Sequence, residues 1–323
     1  MVAGYITART TDLAIVTVHR GQPKLVDHQV FINSEFSNFD SVFSLYMRKT
    51  GAPADFACLG VAGPVIGNKV TATNLPWSID AKDLTKKYSF RKITIVNDLV
   101  AAASGLFQLK EDKFFTLNKG VRVADGNIGI IAAGTGLGEV LLFYDGKNYI
   151  PYASEGGHAG FSPGTQLEAE LWEYIYGMKG YVEAEDVISL AGLQTIYDFM
   201  LEMNGAVRAS WYVKAKDRPG KLIEMALAGK DDTAVKALDL LVDCYAAETA
   251  NLALKGMTMG GIFLGGLIAP QIITALEQGR FMEKFVRVGK MEDLLKRIHV
   301  EIIIDDNTAL IGAAAMAASS VAE

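Results

Sequence analysis

Short apolar runs alternate with polar breaks along most of the chain, and their periods set the elements. AGYITA and DLAIVTV are two such runs split by polar residues, which predicts a hairpin, and LVDHQVFIN follows as a third strand. Phe39, Val42, Phe43 and Met47 recur at helical spacing, and the pattern stops at Gly51, so one helix is predicted there. FACLGVAG is a short buried run ending in glycine. KITIVN is another, and it runs directly into LVAAASGLFQL, a helix. Strands alternating with helices predict an α/β fold, a sheet with helices packed on it.

Further on, NIGIIAAG reads as a buried strand, GTGLG as a turn and EVLLFYDG as a return strand. Two apolar runs around a tight glycine turn predict a hairpin and not a strand-to-helix unit. Leu167 to about Asn251 is mainly helical. GGIFLGG is one more buried strand, followed by a helix from about Gln271. EIIIDD is a last strand, and an alanine-rich helix closes the sequence. No low-complexity linker and no short repeat marks a domain boundary.

Composition narrows the class. At 323 residues the chain suits two domains, and half of its residues are apolar, enough for sizeable cores. The formal net charge of −6 argues against a nucleic-acid partner, which normally meets a basic excess. Two cysteines, Cys58 and Cys244, are too few for a disulfide framework or a thiolate zinc site, and both sit among apolar residues as buried thiols. The first residues lack the basic start and apolar core of a signal peptide. The longest weakly polar stretch, ALIGAAAMAASSVA, falls short of the ~20 residues that span a bilayer. A cytoplasmic protein without membrane partners is expected.

Candidate chemistry begins with the glycines. Gly134-Thr135-Gly136-Leu137-Gly138 is not a Walker A loop, since no Gly-Lys-Ser/Thr follows. Nor is it a Rossmann fingerprint, whose spacing differs and which opens a helix. A glycine hairpin can still offer backbone N–H groups to a phosphate, or be an ordinary tight turn needing positive φ. Gly265-Gly266 closes a buried strand, where a flat ligand or a helix could approach closely. Asn97-Asp98 lies where KITIV ends and a helix begins, a place for a helix cap and for ligand chemistry alike. Glu155-Gly156-Gly157-His158 sets an acid and an imidazole around accessible backbone, groups able to pair with the hydroxyls of a sugar. His158 has no ligand-spaced histidine partner, so no metal site is expected. Glu183, Glu185 and Asp186 open a helix, where the dipole favours acids. Thr73-Asn74, followed by Pro76 and Trp77, reads as a loop that could touch a sugar.

In order along the chain, AGPV (62–65), TNLPW (73–77), VNDLVAAASGL (96–106), AAGTGLG (132–138), EGGH (155–158), AEDVISLAGL (184–193) and GGIFLGGLIAP (260–270) resemble bacterial glucokinases of the non-ROK type. That family belongs to the hexokinase/actin-like ATPase superfamily. The resemblance implies a two-domain α/β, ribonuclease H-like fold with an interdomain cleft: a small domain of residues 1–108 with 305–323, and a large one of 109–304. It implies a hexose kinase that moves the γ-phosphoryl of ATP to the 6-hydroxyl of glucose or a similar hexose. Mg²⁺ would be carried with ATP, and a homodimer is an expectation of the same origin. Carried over by position, Asp98 is the catalytic base. Thr73, Asn74, Asn97, Asp98, Glu155, His158 and Glu185 contact the sugar. Gly134, Thr135, Gly136 and Gly138 form a phosphate loop, and Gly265 and Gly266 the adenosine motif.

The pattern breaks near the N-terminus. The family's first phosphate loop reads D-x-G-G-T-x-x-R, whereas Tyr5-Ile6-Thr7-Ala8-Arg9-Thr10-Thr11-Asp12 stands here. Tyr5 cannot replace the acid that organises hydrated Mg²⁺, and Cβ atoms at Thr7 and Ala8 obstruct phosphate approach. Gly265-Gly266-Leu267 also departs from the usual A-G-G. The sugar half of the implied site is intact and the nucleotide half altered. A kinase in which Arg9, Thr10 or Thr11 takes over phosphate contacts is preferred. The alternative is a sugar-binding protein or sensor without turnover. An actin-type assembly protein would have no reason to keep the sugar set.

Overall fold

The computed structural model describes residues 1–20, 22–72 and 75–321. Thr73 and Asn74, two of the expected sugar contacts, lie outside the described residues. The chain divides into two units, Met1–Glu111 with Asp305–Glu323, and Asp112–Ile304.

In the first unit, β1 (Val2–Ile6), β2 (Thr10–His19) and β3 (Gln22–Ile32) form the expected antiparallel hairpin and third strand. Helix α1 (Phe39–Thr50) follows, capped by the Asn38 side chain and stopped at Gly51, whose φ of 57° suits glycine. After β4 (Phe56–Val61) comes a small sheet of β5 (Val65–Ile66), β6 (Lys69–Thr71) and β7 (Ser78–Asp80). Helix α2 (Ala81–Tyr88), β8 (Lys92–Asn97) and α3 (Asp98–Leu106) complete the run. The main sheet has the order β3-β2-β1-β4-β8, with β1, β4 and β8 parallel.

Strand alternation builds two cores on this sheet. Val2, Leu13, Ala57 and Leu59 face one side, with Phe39, Val42, Phe43 and Tyr46 of α1. Their neighbours Ala3, Ala14 and Cys58 face the other, with Ala101 of α3 and Leu310, Ala313 and Ala317 of the C-terminal helix (Thr308–Ser319). Small residues let that helix lie close on α3. A Cβ at Gly312 would collide with the Ala101 carbonyl, and one at Gly105 with the Thr308 carbonyl.

The second unit repeats the plan. β9 (Phe114–Asn118) precedes a meander of β10 (Ile128–Ala133), β11 (Leu137–Tyr144) and β12 (Tyr149–Ala153). Then come α4 (Gln166–Lys179), α5 (Ala184–Val187), α6 (Leu190–Met203), α7 (Ser210–Lys214), α8 (Arg218–Leu227) and α9 (Asp232–Gly256). β13 (Gly261–Gly265) and β14 (Val300–Ile303) run parallel to β10, giving the order β12-β11-β10-β13-β14-β9. The helix expected from about Gln271 begins earlier, at Ile268, and breaks at Ile272 into two short pieces. Pro270 does not block that start, because the first turn of a helix needs no N–H from it. Ile262, Leu264, Val300 and Ile302 share one core with Leu241, Tyr245 and Leu252 of α9.

Both cysteines are free and buried. Burial pushes the Cys58 thiol up to about 12 and the Cys244 thiol well above its ordinary value. Among the described residues no helix is long and apolar enough to cross a membrane.

Candidate functional site

In the first unit the polar residues gather at one end of the sheet. Val61 of β4 pairs with Asn97 of β8, and Tyr5 of β1 pairs with Gly60 of β4. The chain leaves β8 directly into α3, so Asn97 serves as its cap. The Asn97 Oδ1 accepts from the Leu99 N–H at 2.9 Å, and its Nδ2 donates to the Gly63 carbonyl at 3.2 Å. These bonds fix the amide's orientation. Asp98 is the first residue of α3, half-buried, and its Oδ1 also accepts from the Leu99 N–H, at 3.0 Å. Backbone N–H groups at a helix start favour a negative charge there.

The altered loop between β1 and β2 closes on itself. The Thr7 hydroxyl accepts from the N–H groups of Arg9 (3.2 Å) and Thr10 (2.9 Å). Asn33 holds the turn from β3's end, its Nδ2 donating to the Thr7 carbonyl at 2.9 Å while its Oδ1 accepts from the Thr11 hydroxyl at 2.7 Å. Asp12 meets His28 at 2.9 Å. Burial, and then the charges of Asp98, Asp12 and Asp306, push the Tyr5 phenol far above its ordinary range, so it stays neutral.

In the second unit the glycine hairpin joins β10 to β11. The Gly134 N–H donates to the Gly136 carbonyl at 2.8 Å, and the Leu137 N–H donates to Glu185 Oε2 at 2.8 Å. None of Gly134, Gly136 and Gly138 has positive φ, so the tight-turn reading that required it is corrected. Gly136 is small for another reason: a Cβ there would collide with the Glu185 carboxylate. Gly266 does carry positive φ (81°), and a Cβ on it would strike the Ala133 backbone. β13's glycine end therefore rests against the start of the hairpin.

Glu155 opens a short 3₁₀ turn over Gly156–His158. His158 Nδ1 meets Glu183 Oε2 at 2.7 Å, an acid that the sequence suggested only as a helix-start residue. Its hydrogen bond raises the imidazole above its ordinary value against an opposing burial cost, helped by the charges of Glu185 and Glu155. With Nδ1 engaged, Nε2 is the ring nitrogen that a ligand hydroxyl would meet. The Glu183 N–H donates to Asp186 Oδ2 at 3.1 Å, and Asp186 also pairs with Lys179. Glu183 was missed as a site residue because its partner lies on another element, and no local pattern carries that pairing.

A cavity of about 300 Å³ opens beside the hairpin, lined by Thr135, Lys179, Glu185, Asp186, Ser189 and Thr195 among others. A larger groove of about 510 Å³, with Leu117, Met282, Val286 and Lys296 on its walls, is lined by none of the candidate residues. Its volume marks no chemistry.

The sequence matches the protein family described as Glucokinase over residues 2–320. A glucokinase of Trichormus variabilis is 33% identical over 337 residues, covering 98% of each chain. Among crystal structures, glucokinase from an Antarctic psychrotroph superposes with a TM-score of 0.84 at 25% identity, covering 98% of this chain and 99% of that one. Glucokinase from Balamuthia mandrillaris in complex with glucose gives 0.83 at 23% identity, covering 98% and 92%. The α/β fold expected from the sequence is the actin-like ATPase fold of these sugar kinases.

Proposed function

The chain belongs to the glucokinase family, and from that premise we propose that it transfers the γ-phosphoryl group of ATP to the 6-hydroxyl of glucose. The observation that carries the reading is the polar set of the second unit, in which Glu155, His158, Glu183 and Glu185 interact around the glycine hairpin. Carboxylates accept from sugar hydroxyls, and an imidazole donates or accepts. Asp98 takes the proton from the 6-hydroxyl as its oxygen attacks the γ-phosphorus and the bond to the leaving ADP oxygen breaks. General-base help of this kind contributes roughly 10²–10⁴-fold. Asn97, fixed by its two hydrogen bonds, offers a preset amide beside the base. The Thr135 and Gly136 N–H groups at the tip of the glycine hairpin meet the phosphates, and Gly265 and Gly266 leave room for adenosine. Mg²⁺ arrives as part of the MgATP substrate and neutralises phosphate charge.

One observation favours a second reading, a sugar-binding protein without turnover. The N–H groups of Arg9 and Thr10, which a phosphate loop would present to ATP, are taken by the Thr7 hydroxyl.

A coupled assay with glucose and MgATP separates the two. Turnover of ~10 s⁻¹ or more is expected of the kinase, whereas glucose binding with no product supports the second reading. Calorimetry tests the sugar site common to both. Glu155→Ala should weaken glucose binding by about 10–100-fold, the worth of a hydrogen bond to a charged group. Absence of any heat from wild type at millimolar sugar removes both readings.

A further inference from the structure

Beneath the Glu155–His158 turn lies a buried acid that none of the roles above uses. Glu139 sits on β11 and is 4% exposed, and its Oε1 has no hydrogen-bond partner among the described residues. The turn is built directly on it. A Cβ at Gly156 would collide with the Glu139 carboxyl, and one at Gly157 with the Leu137 carbonyl two residues earlier on the same strand. Ser154 ties the layers together: its Oγ donates to the Glu139 carbonyl at 3.0 Å and accepts from the Gly156 N–H at 3.2 Å.

We propose that Glu139 is a positioning residue for the sugar-binding turn, its carboxyl forming the surface on which Gly156 rests. The proposal depends on the reading that Glu155 and His158 bind the sugar. Charging Glu139 places a carboxylate with an unpartnered oxygen against glycine backbone and beside a second acid. Moving the turn or admitting water relieves that state.

The surroundings of Glu139 define its titration. Helix α9 presents Glu248, which is 6% exposed, together with Lys255 and Tyr245. Glu248 is held by Asn251 at 2.9 Å and approached by Lys255 at 3.5 Å. The turn carries Glu155 and His158 on either side of its two glycines, and β10 adds the apolar Ile131 opposite Glu139. Burial first, then the charge of Glu248 and a hydrogen bond shared with it, push the Glu139 carboxyl up to about 7, with Lys255 opposing. Glu139 is therefore neutral below that pH and charged above it, so glucose binding should weaken as pH rises through it. His158 loses its own proton with rising pH, and a variant is needed to separate the two.

The test is the glucose dissociation constant of the full chain by calorimetry, from about pH 6 to about pH 9, for wild type, Glu139→Gln and Glu248→Gln. Amide NMR shifts of Gly156 and Gly157 are followed without sugar over the same range. In wild type the constant should rise about three- to tenfold above pH 7 and both amides should titrate with it. Glu139→Gln, neutral throughout, should abolish this step in both readouts. Glu248→Gln should move it to lower pH, which keeps the proposal testable if the first variant does not fold. Glycine amides that do not titrate in wild type, or that titrate unchanged in Glu139→Gln, overturn the proposal. Amides that titrate while the constant stays flat break its link to sugar. A wild type that binds no glucose while the amides titrate as described overturns the sugar reading and leaves the coupling of Glu139 to the turn standing.

Discussion

Asp98→Asn is expected to lower kcat by roughly 10²–10⁴-fold while glucose binding changes little. The amide keeps the size and much of the hydrogen bonding of the carboxyl, and Asn is itself accepted at a helix start. What it loses is the capacity to hold the proton of the 6-hydroxyl. A kcat loss with an unchanged dissociation constant marks an interaction made in the transition state. Steady-state kinetics with MgATP, paired with calorimetry of glucose, checks both halves. Equal kcat in variant and wild type would remove Asp98 from the reaction.

The largest expected stability effect lies in the second unit, at a buried ion pair. Glu168 is 1% exposed near the start of α4; its Oε1 meets Lys284 Nζ at 2.5 Å and its Oε2 accepts from the Gly164 N–H at 2.6 Å. Lys284→Met keeps most of the apolar stem and removes the cation, leaving a carboxylate buried without its counter-charge. The cost should be about 3–5 kcal/mol, read as a fall in the urea midpoint at unchanged slope. Adding Glu168→Gln to the same chain should recover part of it, because the uncompensated charge is then gone. A loss under ~1 kcal/mol would mean that water reaches the carboxylate, as at a surface pair.

Much of the fold could be read from the sequence wherever apolar period and punctuation agreed. The β10–β11 hairpin announced itself through two buried runs around three glycines, and α1 through Phe39, Val42 and Phe43 before Gly51. Elements with weak burial did not. β12 is the apolar run YIPYA, but Pro151 inside it argues against a strand, and no residue of it is fully buried. α2 buries only Ala81 and Leu84 in a charged octet. The site divides in the same way. The place of Asn97 and Asp98 at a strand end and a helix start was legible because both are local signals. The contacts of Glu183 with His158, of Glu139 with Gly156, and of Glu185 (named through the resemblance) with the Leu137 N–H were not, because each depends on a partner brought in by the fold. Gly136 carries the same lesson, since its smallness answers to a carboxylate on α5 and not to its own backbone angles.

The most direct measurement is a crystal structure of the chain soaked with glucose. With Asp98 as the base, one of its carboxylate oxygens should lie about 2.6–3.2 Å from the 6-hydroxyl, the reach of proton transfer, with Glu155, His158 and Glu185 on the other hydroxyls. Glucose bound with Asp98 more than ~10 Å away would contradict the assignment.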